Sequence, residues 1–284
     1  MSASRRVLVV GHAERPEAGE LARRAADWLA EHEYEVVSTS QDRERLGLDR
    51  ATEWSGTDPL VLAVSIGGDG TMLRTVTLVG ETGTPVLGVN VGLLGYLTAV
   101  EPPSMIDALR DFFDGRLDRE ERLVLDVTAT SASGSRRFRA LNEASLEKLT
   151  AGHTVRLHVS IDGVAFTTYQ ADGMIVATPT GSTAYSLSAR GPIVSPRMRA
   201  LLLTPLSPHM LFDRSLVLAS NEVVDIEVTG TRPVGLAVDG EYTGELRPGD
   251  RIQCRESAHP AIFVKVHGER FHRILKSKFG LADR

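Results

Sequence analysis

The chain has 284 residues, a length that holds two domains more naturally than one, with 42% apolar residues and a formal net charge of −5. No stretch approaches the roughly 20 apolar residues of a membrane span, and the first residues run straight into strand-like sequence without a signal-peptide layout. With no basic block or basic–aromatic alternation, neither a nucleic-acid nor a membrane partner is expected, and the protein should be cytoplasmic.

In chain order, residues 7–10 read as a buried strand, and residues 17–31 carry Leu21, Ala25, Trp28 and Leu29 at helical spacing. Residues 35–37 read as a second strand, 60–66 as a third, 71–79 as a helix, 85–90 as a fourth strand and 104–114 as another helix. This alternation builds a parallel sheet covered by helices, whose ligands collect at the carboxyl ends of the strands. Gly67-Gly68-Asp69-Gly70-Thr71 lies at such an end. A glycine turn between strand and helix offers free backbone N–H groups to an anion. Asp69, itself negative, suits metal binding or proton acceptance during phosphoryl transfer better than it suits holding phosphate. Taken alone, so short a motif also fits a purely structural turn. The lysines are Lys148, Lys265, Lys276 and Lys278, and none follows a glycine loop. That excludes a Walker A lysine and leaves nucleotide phosphates to backbone amides, arginine and a divalent cation.

From residue 123 the texture becomes β-rich, with short strand-like runs at 123–130, 136–141, 155–161, 166–170, 174–177, 216–218, 223–228, 235–238 and 262–266. Asp162-Gly163 and Asp239-Gly240 supply hairpin turn chemistry. The single cysteine, Cys254, excludes an intramolecular disulfide and a cysteine-based zinc cluster. Residues 270–281, with Phe271, Ile274, Leu275 and Phe279 at helical spacing, read as a last helix docking onto the first domain. The expected layout is an α/β domain at 1–122, an all-β, sandwich-like domain at 123–265 and a returning segment at 266–284. A second signal runs from Asp172-Gly173 through Thr178-Pro179-Thr180-Gly181-Ser182-Thr183-Ala184-Tyr185-Ser186-Leu187-Ser188. There a strand feeds a hydroxyl-rich turn, and a helix over 184–189 capped by Ser182 or Thr183 would hold a phosphate or the edge of a base. Asn142-Glu143 alone reads as a solvated strand end, and His153 and His209 as surface or core histidines.

Together these residues resemble NAD kinase. The resemblance runs in order through Gly67-Gly68-Asp69-Gly70-Thr71-Met72-Leu73, Gly88-Val89-Asn90-Val91-Gly92-Leu93-Leu94-Gly95-Tyr96-Leu97, Asn142-Glu143, the run from Asp172-Gly173 to Ser188, Pro208-His209 before Arg214, and Val238-Asp239-Gly240. It implies transfer of a phosphoryl group from ATP or polyphosphate to the 2′-hydroxyl of the adenosine ribose of NAD, giving NADP, in a site between the two domains. Asp69 then falls at the proton acceptor, Gly70 lies against the dinucleotide, and Arg74 matches a further NAD contact. Gly67, Gly68, Gly70 and Thr71 form the phosphate turn. Asn142 and Glu143 match the pair that holds the ribose and adenine, and His153 another contact. Asp172 with Thr183, Ala184, Tyr185, Ser186, Leu187 and Ser188 matches the segment that wraps the dinucleotide. Mg²⁺ is expected with the donor, without an assigned protein ligand, and a homo-oligomer, dimer or tetramer, is implied. The chain departs from the family pattern at Arg190, where Ser-Ala-Gly-Gly-Pro is usual, and at Glu241, where glutamine is common. Two alternatives stand beside this one: a catalytically weak NAD(P)-binding sensor, and a lipid kinase sharing the Gly-Gly-Asp-Gly-Thr turn.

Overall fold

The structure, a computed structural model, describes residues 5–92, 95–266 and 271–281. The chain divides into two units, Met1–Glu121 with Ala261–Arg284, and Arg122–Pro260.

The first unit grows from aliphatic runs too apolar for a solvent face. β1 (Arg6–Gly11) is followed by α1 (Pro16–Glu31), β2 (Glu35–Ser38), α2 (Ser40–Leu46), β3 (Thr52–Glu53), β4 (Leu62–Gly67), α3 (Asp69–Val79), β5 (Val86–Asn90), α4 (Met105–Phe113) and β6 (Asp118–Arg122). β4 and β5 are buried along their whole length, as strands covered on both faces must be. The apolar stripe of α1, including Leu21, Ala25 and Leu29, joins Val7, Val9, Val64 and Leu87 in one core. α2 has little apolar periodicity and escapes a sequence reading. Its ends define it: the Thr39 hydroxyl accepts the Asp42 N–H at 3.1 Å, and Gly47 closes it in the left-handed region at φ 65°.

The chain lays β1, β2 and β3 side by side in parallel and then places β4 on the other flank of β1, with β5 beyond it. Strand order therefore reverses between β1 and β4, and the loops after these strands part over a crevice.

The second unit is antiparallel. Its strands are β7 (Leu125–Ser131), β8 (Gly134–Ala140), β9 (Glu143–Lys148), β10 (Val155–Ile161), β11 (Val164–Ala171), β12 (Gly173–Ala177), β13 (Ala200–Leu206), β14 (Leu216–Ala219), β15 (Val224–Val228), β16 (Val234–Val238), β17 (Glu241–Leu246) and β18 (Arg251–Glu256), with the short α5 (Tyr185–Ser188) after β12. They form two six-stranded sheets, β11-β10-β15-β18-β7-β8 and β14-β13-β12-β9-β16-β17. Leu125, Leu157 and Ile252 of one sheet share a core with Leu146, Val176 and Leu236 of the other, which makes the unit a sandwich. The expected hairpin turns are present: Asp162-Gly163 and Asp239-Gly240 all have positive φ.

Three readings need correction. Residues 262–266 were expected in the β-rich domain, but β19 (Ala261–Lys265) pairs with β5 in the parallel sheet, Phe263 opposite Val86. Propensity identifies a strand but not its partner when that partner lies far away in sequence. The expected helix over 184–189 is a 3₁₀ turn at Thr180–Thr183 followed by the four residues of α5, and neither Ser182 nor Thr183 caps it. The Ser182 hydroxyl instead exchanges hydrogen bonds with the Val194 N–H and carbonyl, both 3.0 Å. Asn142-Glu143, finally, is no solvated strand end, since Glu143 opens the buried strand β9. The last helix is α6 (Phe271–Lys278), in the first unit, with the Lys278 ammonium 4.6 Å from the centroid of the Tyr96 ring. Residue 270 of the expected helix lies outside the described residues, and among the described residues no helix is long and apolar enough to cross a membrane.

Candidate active site

β4 runs into Gly67, and α3 begins at Asp69, two residues earlier than its apolar pattern indicates. An acid in the first turn of a helix sits favourably in the field of the helix dipole. The loop after β5 then fixes the side chain: the Tyr96 N–H donates to Asp69 Oδ2 and the Leu97 N–H to Oδ1, both at 3.0 Å. Bonds from amides to a carboxylate set its orientation, and each oxygen retains a lone pair. Gly95 makes this possible, because a Cβ there would overlap the Asp69 carboxylate. Burial, and then the charge of Asp69, push the Tyr96 phenol up. Leu93 and Leu94 of the same segment lie outside the described residues.

The glycines of the turn serve different ends. A Cβ at Gly67 would overlap the Thr71 hydroxyl, so local packing demands glycine. At Gly68 and Gly70 a Cβ would meet nothing within 4 Å, and neither residue has a positive φ. Nothing among the described residues requires glycine at these two positions, whereas close approach of a ligand to the backbone does. Both face a cleft of about 470 Å³ at the reversal of strand order, lined also by His12, Arg15, Gln41, Arg45, Thr71 and Arg74. Arg74 is held there, its guanidinium donating to the Gly11 carbonyl at 2.6 Å and to the buried Asp42 carboxylate at 2.7 Å. Arg15 donates to the Val91 carbonyl. Three arginines beside a helix N-terminus suit an anionic ligand.

In the second unit the other expected residues, apart from His153, gather about the neighbouring strands β9 and β12: Asn142 and Glu143 at the start of β9, Asp172 just before β12 and residues 183–188 after it. Ala177 of β12 lies opposite Glu143, and the loop that follows is stitched onto the same strand end. The Thr178 N–H donates to the Asn142 carbonyl at 2.8 Å, while its hydroxyl donates to the Leu141 carbonyl at 2.5 Å and accepts the Gly181 N–H at 3.1 Å. A Cβ at Gly181 would overlap the Asn142 backbone, so the approach needs glycine. The Asn142 side-chain amide makes no hydrogen bond among the described residues. Glu143 is 6% exposed, and its Oε2 and the Thr180 hydroxyl are buried without a partner. Burial, and then the charge of Asp239, push the Glu143 carboxyl up to about 7, opposed by a backbone hydrogen bond from Tyr185.

The segment 183–188 is tied to β9 by an acid that sequence reasoning passed over, Glu147. The Tyr185 hydroxyl donates to Glu147 at 3.0 Å, and burial with that bond pushes the phenol up to about 12. Asp172 pairs with Lys148 at 2.6 Å. Both partners sit on β9, and the alternation of polar Glu143, Ser145 and Glu147 along it was the available signal. Ser186 meets the Thr204 hydroxyl at 3.2 Å, Thr183 donates to the Thr180 carbonyl at 3.3 Å, Ala184 and Leu187 are part-buried and Ser188 is exposed. Thus Asn142, Glu143, Asp172 and Tyr185 belong to one contiguous patch of interactions through β9. His153 does not join it: it is exposed ahead of β10 and makes no hydrogen bond among the described residues. Arg190 is exposed, at φ 64°, in the left-handed region that favours glycine.

Residues 7–117 match the ATP-NAD kinase N-terminal domain, and residues 141–266 the ATP-NAD kinase C-terminal domain. The NAD kinase of Moorella thermoacetica is 35% identical over 96% of this chain and 88% of its own length. The NAD kinase of Heliobacterium modesticaldum is 37% identical over 96% and 97%. A crystal structure of yeast NADH kinase complexed with NADH matches at a TM-score of 0.92 and 27% identity, covering 99% of this chain and 89% of that one. The order of motifs, the two-unit architecture and these likenesses agree: the chain belongs to the NAD kinase family.

Proposed function

We propose that this chain transfers a phosphoryl group from ATP to the 2′-hydroxyl of the adenosine ribose of NAD, producing NADP and ADP. The observation that carries the reading is the Asp69 carboxylate, oriented by the Tyr96 and Leu97 amides beside two glycines that face open space. A secondary hydroxyl is a weak nucleophile until a base takes its proton. Asp69 accepts that proton as the oxygen attacks the terminal phosphorus, and the bond from phosphorus to the donor's bridging oxygen breaks. Amides at the start of α3 and the cleft arginines hold the phosphate oxygens as charge shifts among them. Polyphosphate is the alternative donor, since these contacts are made to phosphate oxygens.

Recognition of NAD falls to Asn142, Glu143, Asp172 and residues 183–188, with Arg74 and His153 as outer contacts. The unbonded Asn142 amide and the partnerless Glu143 Oε2 and Thr180 hydroxyl support this, since hydroxyl and amino groups of a ligand would satisfy them. Among the described residues no three His, Cys, Asp or Glu side chains are grouped to hold a metal. Mg²⁺ would arrive on the donor phosphates and supply charge neutralisation there. The reading includes a cytoplasmic homo-oligomer, a dimer or tetramer.

The test is NADP formation from NAD with ATP or with polyphosphate. Asp69→Asn should keep the fold and NAD binding and lose roughly 10²–10⁴-fold in turnover. Unchanged turnover in that variant removes Asp69 from the chemistry. NAD binding without turnover in the native chain, or turnover of lipid alone, overturns the kinase reading.

A further inference from the structure

Asp239 occupies the turn between β16 and β17 at φ 49°, followed by Gly240 at φ 81°. Its side chain leaves its own hairpin for the start of β9. Oδ2 accepts the Leu141 N–H at 2.8 Å, and Oδ1 accepts the Asn142 N–H at 2.7 Å and the Glu143 N–H at 3.1 Å. In return the Asp239 N–H donates to the Glu143 carbonyl at 2.9 Å. The turn itself does not need this carboxylate, because Asn-Gly or Gly-Gly would form it equally well. With Thr178 bonded to the Asn142 and Leu141 carbonyls, the backbone from 141 to 143 is held from both neighbouring strand ends. The side-chain ends behave oppositely: the Asn142 amide is unbonded among the described residues, and Glu143 Oε2 is buried without a partner. A backbone fully bonded beneath two unsatisfied polar ends is how a binding pair is preorganised.

We propose that Asp239 is a positioning residue, which aims Asn142 and Glu143 at the dinucleotide by holding their backbone amides and makes no contact with NAD itself. The proposal rests on the assignment of NAD to this pair. A second consequence is electrostatic. The strands flanking Glu143 present only apolar residues and glycine, in Gly173–Ala177 and Val234–Val238. The titratable groups that face it are Asp239 and, from α5, Tyr185, whose phenol is tied to Glu147. Asp239 is itself pushed up by burial, against the pull of its three amides, with Glu241 adding to the rise. Ribose hydroxyls donate more strongly to an ionised carboxylate than to a carboxylic acid. NAD affinity should then rise with pH through about 7, where Glu143 ionises, and level off above it. Removing the negative neighbour should move that midpoint to lower pH.

The experiment compares full-length native protein with Asp239→Asn, measuring NAD binding by calorimetry from about pH 5.5 to about 8.5 together with kcat and KM. The expected result is a KM for NAD raised roughly tenfold or more, kcat within about threefold, and the affinity midpoint displaced downward. A merely structural role would lower the active fraction and leave KM and the midpoint where they were. Unchanged KM with an unmoved midpoint overturns the proposal, as does a loss of kcat at constant KM. Should the variant fail to fold, amide hydrogen exchange of the native protein without NAD decides. Slow exchange at residues 141–143 is expected, and exchange as fast as in an exposed loop sinks the proposal. Native protein that binds no NAD at any pH defeats the NAD assignment and the proposal with it, whereas a native chain that binds NAD beside an unaffected variant defeats the proposal alone.

Discussion

Gly95→Ala deletes no reacting group and adds one carbon, which makes it a demanding test of how Asp69 is held. Gly95 lacks a left-handed φ, so alanine is conformationally allowed there. The added Cβ would nevertheless overlap Asp69 Oδ1 and lie 2.8 Å from the Thr98 hydroxyl, where carbon and oxygen need roughly 3.3 Å. The carboxylate or the loop must yield by about 1 Å. The two amides that grip Asp69 follow Gly95 directly in sequence, so both 3.0 Å bonds are disturbed together. Misplacing a reacting group by this much costs on the order of 10²-fold in rate, equivalent to about 2.7 kcal/mol of barrier. The loss of folding stability, about 1–3 kcal/mol for strained polar contacts, leaves a domain of ordinary stability folded. The assay is the initial rate of NADP formation at saturating NAD and ATP, with circular dichroism as the check on folding. A kcat roughly 100-fold lower with KM for NAD within about threefold is expected. A folded Gly95→Ala protein with native kcat would refute the link between this loop, the carboxylate and the chemistry.

Two further substitutions separate packing from ligand approach. Gly70→Ala meets no protein atom within 4 Å and lies inside α3, so it should hold or raise thermal stability, by up to about 1 kcal/mol of helix propensity. It should also raise KM or lower kcat by roughly tenfold or more; native kinetics would show that the bare backbone is not there for a ligand. Arg190→Gly relieves an exposed residue at φ 64°, worth about 1–2 kcal/mol less the entropy glycine adds to the unfolded chain. Thermal unfolding should move up by a few degrees with activity unchanged, and a lower midpoint would contradict the strain argument.

Much of this was legible in the sequence, and the reasons differ by element. The buried runs of β1, β4 and β5 and the stripe of α1 are written in apolar periodicity, and the hairpin turns in Asp-Gly pairs. The fold class stands as expected, an α/β unit with a parallel sheet and a β-sandwich. β13, β17 and β18 went unread, since Ala200–Leu206 is apolar without alternation and Glu241–Leu246 is polar throughout but for its last residue and Tyr242. The strand identity of Glu143 was hidden because Glu143, Ser145 and Glu147 put polar residues on positions that a sequence reader gives to solvent. The polar face exists because Ser145, Glu147, Tyr185 and Asp239 satisfy one another there or flank it. The grip of Tyr96 and Leu97 on Asp69 could not be read from spacing, for it depends on how the loop after β5 folds over α3. Gly95 was its one visible trace.

β19 gives the first unit an unusual birth order. It sits between β5 and β6, yet the second unit is threaded entirely between β6 and β19 along the chain. As the polypeptide leaves the ribosome, residues 1–121 emerge without β19, which among the described residues is the strand beside β6 and pairs with β5 at Val86. The sandwich, whose strands are contiguous in sequence, can close before the sheet that precedes it is complete. Synthesis therefore finishes the sandwich that carries Asn142 and Glu143 before the sheet that carries Asp69, and a chain cut after Pro260 would possess the former without a completed version of the latter.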